Sequence, residues 1–361
     1  MSTNQATKHS MEAISNRIKH ARLMRGLSLQ SLSDKMDNKV SKQALHKYEK
    51  GTVEPDLDMV QDIAEALELK PDYFYREVSV EIKEIAFRKL ASLSKKEQNR
   101  IIETARDYLS RYLELEQIIG KQPSVKNPLE GFNISGKKDV EKAAQKLREV
   151  WKLGTDPLYN VLELLEDHGI KVIELEGDVS IDGFSTWVND SIPVIGLNSM
   201  KRKSLDRYRF TVLHELAHLL LNLEEFPENE QEKLCHYFAG AMLLPLSAIE
   251  NELGLKRKKV SLEELKAIKK QYGISMQAVV YRLKELSIIS GATFSNFFQF
   301  MAKNGYKQDE SGLAVYNGEE EALRFDQLLG HALAEQFITV SKAAALKNQR
   351  ITRFRKEFLL G

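Results

Sequence analysis

Residues 209–222 read RFTVLHELAHLLLN, and within them His214, Glu215 and His218 form the pattern His-Glu-x-x-His. The flanks contain no proline or glycine and favour a helix. On a helix, His214 and His218 lie one turn apart on one face, so both imidazoles can meet one ion. Glu215 sits about 100° further round, close enough to hold a water but offset from the two ligands. Two unpartnered imidazoles among Val212, Leu213, Leu219 and Leu220 would be costly to bury, and a zinc ion removes that cost. Metal-assisted hydrolysis needs a third protein ligand and an open position. The stretch ENEQEKLCHYFAGAMLLP follows as the next helix and ends at Pro245. Glu232 and His236 are one turn apart on it and share a stripe with Cys235 and Ala239. By donor chemistry, Glu232, His236 or Cys235 can complete the set.

These residues need a scaffold, and the chain is long enough for one. Its 361 residues suggest two or three domains, and 42% hydrophobic with 29% charged residues is an ordinary globular balance. No apolar run approaches the roughly 18 residues that span a bilayer, so no membrane association is expected. The first residues, MSTNQATKHSMEA, lack the apolar core of a secretion signal. One cysteine, Cys235, cannot form an internal disulfide, which fits a reducing cytoplasm.

Net charge is +1, but its distribution is uneven. Residues 14–50 carry nine Lys and Arg against three acids, and residues 54–68 carry six acids and no bases. Such polarity suits a module that turns one face to phosphates. Ile14, Ile18, Ala21, Leu29 and Leu32 mark short amphipathic helices. Ser28 is placed to cap one, and Ser41 to cap the next, SKQALHKYEKG, which closes on Gly51. Leu45 and Tyr48 then face inward. Lys42, Gln43, His46 and Lys47 face out, where Gln can pair with adenine and Lys with phosphate or guanine. The stretch RIKHARLMRGLSLQSLSDKM…VSKQALHKYEKGTVEPDLDMVQDIAEALEL resembles the XRE family of helix-turn-helix domains. The resemblance covers about a fifth of the chain. It implies a recognition helix at residues 41–50 and double-stranded DNA as partner.

Residues 79–135 read as a helical linker. Ser94 and Glu97 form a capping box. Ile101, Ala105, Tyr108, Tyr112, Leu115 and Ile119 then recur at steps of four and three, an apolar seam of two to three heptads. The seam packs on its own chain or makes a homodimer, which paired DNA half-sites would favour.

The metal motif also has a family likeness. RFTVLHELAHLLL followed by EKLCHYFAGAMLLP resembles the ImmA/IrrE family of zinc metallopeptidases. So do the upstream pieces AAQKLREVWKLGTDPLYNVLELLEDHGIKVIEL, DGFSTW and PVIGLN, and the likeness runs from about residue 141 to 250. It implies His214, His218 and Glu232 as ligands of Zn2+ and Glu215 as catalytic base. Many members carry Asn where this chain has His236. That departure leaves His236 beside the site, stabilising the oxyanion or competing for the metal. The implied reaction is peptide hydrolysis, in which Glu215 takes a proton from water and passes it to the leaving amine. KVIEL and PVIGLN would form a small sheet whose edge could pair with an extended substrate.

The expected fold is therefore mainly α with a small α+β zinc-peptidase domain. An all-α helix-turn-helix occupies residues 10–78, a helical linker 79–135, the peptidase 136–250 and a helical C-terminal region 251–361. In that last region, Ser261 and Glu264 form another capping box, two helices flank Gly273, and His331 is structural or exposed. The combined reading is a cytoplasmic DNA-binding regulator whose peptidase cuts an XRE-type repressor, an antitoxin or itself. The alternatives are a transcription factor or antitoxin whose zinc domain senses a ligand or partner without proteolysis, and a peptidase whose head binds protein.

Overall fold

The computed structural model describes residues 3–76, 80, 93–121, 125–176 and 180–359. It separates into two compact units, each described by itself: Met1–Gln122 with Val188–Asp190 and Leu328–Gly361, and Pro123–Trp187 with Ser191–Gln327. Among the described residues it is mainly helical, with a single three-stranded sheet.

The first unit begins with α1 (Thr3–Met24), α2 (Leu29–Lys35), α3 (Lys42–Glu49), α4 (Leu57–Ala66) and a 3-10 turn at Pro71–Tyr75. Ser28, Ser41 and Asp56 cap α2, α3 and α4, each side chain accepting a backbone N–H three residues on. Gly51 follows α3 at φ +66°, and a Cβ there would come within 3.2 Å of Ser15 Oγ. Ile18, Leu32, Leu45, Ile63, Leu67 and Phe74 form the centre of the core.

Much of the basic charge in this unit is used internally. Arg22 donates Nε and Nη2 to the two Glu49 oxygens at 2.6 and 2.8 Å, tying α1 to α3. Arg25 holds the carbonyls of Leu67 and Glu68, and Arg17 that of Arg76. Lys35 and Lys39 pair with Glu68 and Asp62. The charge segregation seen along the sequence is thus partly a set of cross-links between the basic and the acidic helices.

α5 (Lys95–Ile119) starts at Ser94, whose side chain accepts the Glu97 N–H. Its seam residues Ile101, Ala105, Tyr112 and Leu115 are buried, and the helix packs against α1. The seam is therefore covered within the chain. Tyr108 and Ile119 are only half-buried.

The second unit holds α6 (Lys137–Val150), α7 (Val161–Asp167), β1 (Lys171–Leu175), β2 (Gly183–Val188) up to Trp187, and β3 (Ile192–Asn198). α8 (Leu205–Leu220), α9 (Glu228–Leu243), α10 (Leu246–Glu252), α11 (Leu262–Tyr272), α12 (Met276–Glu285) and α13 (Gly291–Lys303) follow. The remaining helices are α14 (Arg324–Ala334), α15 (Val340–Leu346) and α16 (Ile351–Phe354). In the first unit, α15 meets α5, where Arg111 reaches the Leu346 carbonyl and Lys342 pairs with Glu114. The sheet order is β1-β3-β2, with β1 parallel to β3 and Lys171 opposite Val194. Gly196 of β3 is required by close packing, because a Cβ there would overlap the Phe184 ring at 2.0 Å. One apolar core joins α6, α7, the sheet, α8 and α9 to α11 and α12, through Leu265, Ile268, Val279 and Leu283. Ser261 and Glu264 form the capping box of α11, which ends on Gly273 at φ +61°.

α7 carries a buried acid, Glu166. Burial pushes its carboxyl up to about 7, against the pull of the Arg324 and Leu323 backbone N–H groups. Folded protein therefore keeps a proton, between about pH 4.5 and 7, that the unfolded chain releases. The stability linked to this proton is present at pH 5 and lost as pH rises towards 8. Denaturant melts of Glu166→Gln should show that decline reduced by on the order of 2 kcal/mol relative to wild type.

Candidate metal centre

α8 supplies the two histidines, and its sequence explains why it is fixed so firmly. Val212, Leu213, Leu216, Ala217, Leu219 and Leu220 are all buried, so most of its circumference lies in the core. Its polar residues are tied as well. Asp206 pairs with Lys269 at 2.7 Å, Tyr208 Oη donates to Glu174 at 2.6 Å, and Arg209 pairs with Glu320. At the far end, Asn127 Nδ2 donates to the Leu220 carbonyl at 2.9 Å, satisfying one orphan acceptor.

The chain leaves α8 at Leu221 and re-enters a helix after Pro227. Small residues Ala239, Gly240 and Ala241 let α9 lie close to its neighbours, and α8 and α9 form one of the largest helix contacts of the unit. This brings Glu232, in the second turn of α9, opposite the motif. Glu232 Oε2 lies 3.1 Å from His214 Nε2, and its Oε1 lies 3.2 Å from His218 Nε2. The two Nε2 atoms are 3.2 Å apart. Among the described residues, this is the one group of three or more His, Cys, Asp or Glu side chains that could hold a metal ion.

The donor set fits a metal on chemical grounds. Two imidazole nitrogens 3.2 Å apart face the two oxygens of one carboxylate, each nitrogen 3.1–3.2 Å from the oxygen opposite it. Ligand atoms at roughly 2.0–2.1 Å from a tetrahedral ion stand roughly 3.3–3.4 Å apart. His214 Nδ1 is buried and has no hydrogen-bond partner among the described residues. No described residue supplies the outer hydrogen bond that many ligating histidines receive on that side.

Glu215 is 3% exposed, on the side of α8 that meets the sheet. Ser185 Oγ of β2 donates to Glu215 Oε2 at 2.8 Å. Gly183 shares that face of the strand, and a Cβ on it would stand 3.3 Å from Glu215 Cγ. Sequence reasoning passed over Ser185. The signal was a Gly-x-Ser alternation, small and polar on one strand face, opposite Phe184 and Thr186 on the other.

His236 is exposed, and its ring centroid lies 4.4 Å from that of His214 and 5.9 Å from that of Phe210. It neighbours the triad without being one of the three grouped donors. Cys235 is fully buried in the core. Of the three donors that α9 offered, the carboxylate is the one that meets both imidazoles. In the first unit, Lys42, Gln43, His46 and Lys47 are all exposed on α3, while Leu45 is fully buried.

Residues 165–284 match the model of the IrrE N-terminal-like domain family, and residues 18–74 match that of the helix-turn-helix family. The chain thus joins a helix-turn-helix domain of XRE type to a domain of a peptidase family. The matched IrrE-like segment runs from α7 through α12, so it takes in the sheet, the His-Glu-x-x-His helix and α11. A comparison with curated proteins gave no match. No helix among the described residues is long and apolar enough to cross a membrane.

If the triad holds a metal ion, Glu232→Ala should retain only a small fraction of the roughly one ion per chain expected for wild type. Glu230→Ala, on the exposed first turn of α9, should retain it all. Metal analysis after dialysis reads both.

Proposed function

We propose that this protein is a DNA-binding regulator with a zinc-dependent endopeptidase domain. Its substrate is a repressor or antitoxin of the XRE type, or the chain itself. The observation that carries this reading is the buried Glu215, anchored by Ser185 beside a two-histidine, one-carboxylate group. A site that only held metal for structure would have no use for that acid.

His214, His218 and Glu232 would hold the ion, and two imidazoles with one carboxylate suit zinc. Bound there, zinc supplies Lewis acidity, easing deprotonation of a water and polarising the scissile carbonyl. Glu215 acts as general base, taking the water's proton and delivering it to the leaving amine. Ser185 engages one Glu215 oxygen and so fixes the direction in which the other points. His236 stands beside His214, where a ring N–H can stabilise charge that develops on the carbonyl oxygen. Among the described residues β2 lies at the end of the sheet order, and its outer edge can add an extended substrate as a further strand.

In the head, Lys42, Gln43, His46 and Lys47 would enter the major groove from the exposed face of α3. Gln43→Ala with Lys47→Ala should weaken binding to the operator and lower the salt slope by about one. Gel shifts at several salt concentrations measure both.

The peptidase is tested by incubating the chain with proteins encoded beside its gene. Wild type should yield defined fragments, from a neighbour or from itself, that a chelator abolishes. Glu215→Gln should keep its zinc and yield none. Undiminished cleavage by Glu215→Gln would remove this residue from the role of base. Absence of fragments from every neighbour and from the chain itself would favour a zinc domain that senses a ligand without proteolysis.

A further inference from the structure

A cavity of about 1220 Å³ opens next to the metal group within the second unit. Phe210 of α8 and His236 of α9 form the wall nearest the metal group. Tyr281 of α12 and the segment 307–318 close other sides. The segment is a built wall. Glu310, at one end, accepts the Met276 N–H at 2.8 Å and lies 3.6 Å from Lys269. Glu320, just beyond the other end, is fully buried against Arg209 and accepts the N–H groups of Val161 and Leu162.

The charges that line this cavity divide into two classes. Arg202, Arg207 and Arg282 are neutralised by Glu174, Asp182 and Glu141. Of the acids, Asp206 and Glu310 face Lys269, Glu285 pairs with Lys137, and Asp309 accepts from the backbone and hydroxyl of Ser311. Lys203, Lys233 and Lys307 remain, exposed and with no carboxylate partner among the described residues. The three lysines outnumber by one the acid charges left over, Asp309 and one of the two that share Lys269, so the excess charge of the cavity is positive. Its apolar surface includes Tyr281 and Val315, which are half exposed.

We propose that this cavity is the subsite for an acidic stretch of polypeptide, which it holds against the metal group past Phe210 and His236. This rests on the peptidase reading and names the class of substrate. Carboxylates along the peptide meet Lys203, Lys233 and Lys307, and a large apolar side chain packs on Tyr281 and Val315. Such charge complementarity selects the partner and speeds its arrival. The chain itself carries a segment of this chemistry, residues 54–68, with six acids and no bases.

The test uses fluorescent synthetic peptides of residues 54–68, one native and one with all six acids changed to their amides. Each is titrated by anisotropy against the zinc-loaded full chain bearing Glu215→Gln. The acidic peptide should bind about tenfold tighter at low salt, and added salt should erase the difference. Lys233→Glu with Lys307→Glu should reduce it to the level of the amide peptide. Lys42→Glu with Lys47→Glu, on the head, should leave it unchanged. Equal binding of the two peptides would overturn the proposal. So would a loss caused by the head variant alone, or competition by duplex DNA that the head variant abolishes. Binding is read without cleavage. Preferred binding with no fragments from wild type would leave the subsite standing and count against the peptidase, whereas equal cleavage of both peptides would remove the subsite alone.

Discussion

A guanidinium removed from water must find its hydrogen-bond acceptors inside the protein, and it must find a counter-charge. Arg209 is fully buried on the helix that carries the His-Glu-x-x-His motif. Its Nη atoms reach the carbonyls of Leu158 and Tyr159, the Tyr316 hydroxyl and the Glu320 carboxylate. Glu320 in turn caps the start of α7. Gly273 is needed beside this knot, since a Cβ there would approach Arg209 Nε to 2.6 Å. One cation therefore dictates where α7, the end of α11 and the segment around Glu320 may lie relative to α8. The metal group sits little more than a turn further along the same helix, so its position is set by the same contact.

The metal group was legible in the sequence because its rule is local. Helical spacing alone places His214 and His218 on one face, and the next helix offers few donors. Choosing Glu232 over His236 or Cys235 needed the family likeness, and the 3.1 and 3.2 Å approaches now give a geometric reason for it. The caps at Ser28, Ser41 and Ser261 were legible for the same reason, since each is satisfied within three residues. Ser185, Arg209 and Glu320 were not. Their meaning lies in partners 30 and 111 residues away, which no periodicity encodes.

Charge was the least reliable guide. The basic run in the head suited a module that turns one face to phosphates. In the fold, Arg17, Arg22 and Arg25 bind carbonyls or a carboxylate, and Lys35 and Lys39 neutralise acids of α4 and its flank. What stays exposed on α3 is a smaller set, Lys42, Gln43, His46 and Lys47. In the second unit the arginines lining the cavity are paired and three lysines are not. Arginine's planar fork suits fixed internal pairs, while lysine keeps a mobile charge at the surface.

The short span of the metal group has a consequence for how the protein is assembled. Its donors come from two neighbouring helices, so little chain has to be closed to bring them together. Arg209 and Glu320 close a loop of 111 residues. Loop-closure entropy favours the nearer contact, and during synthesis the residues near 320 emerge well after the donors. Loop closure thus costs less for the corner that carries the three donors than for the wall of the adjoining cavity, whose closing contact spans 111 residues.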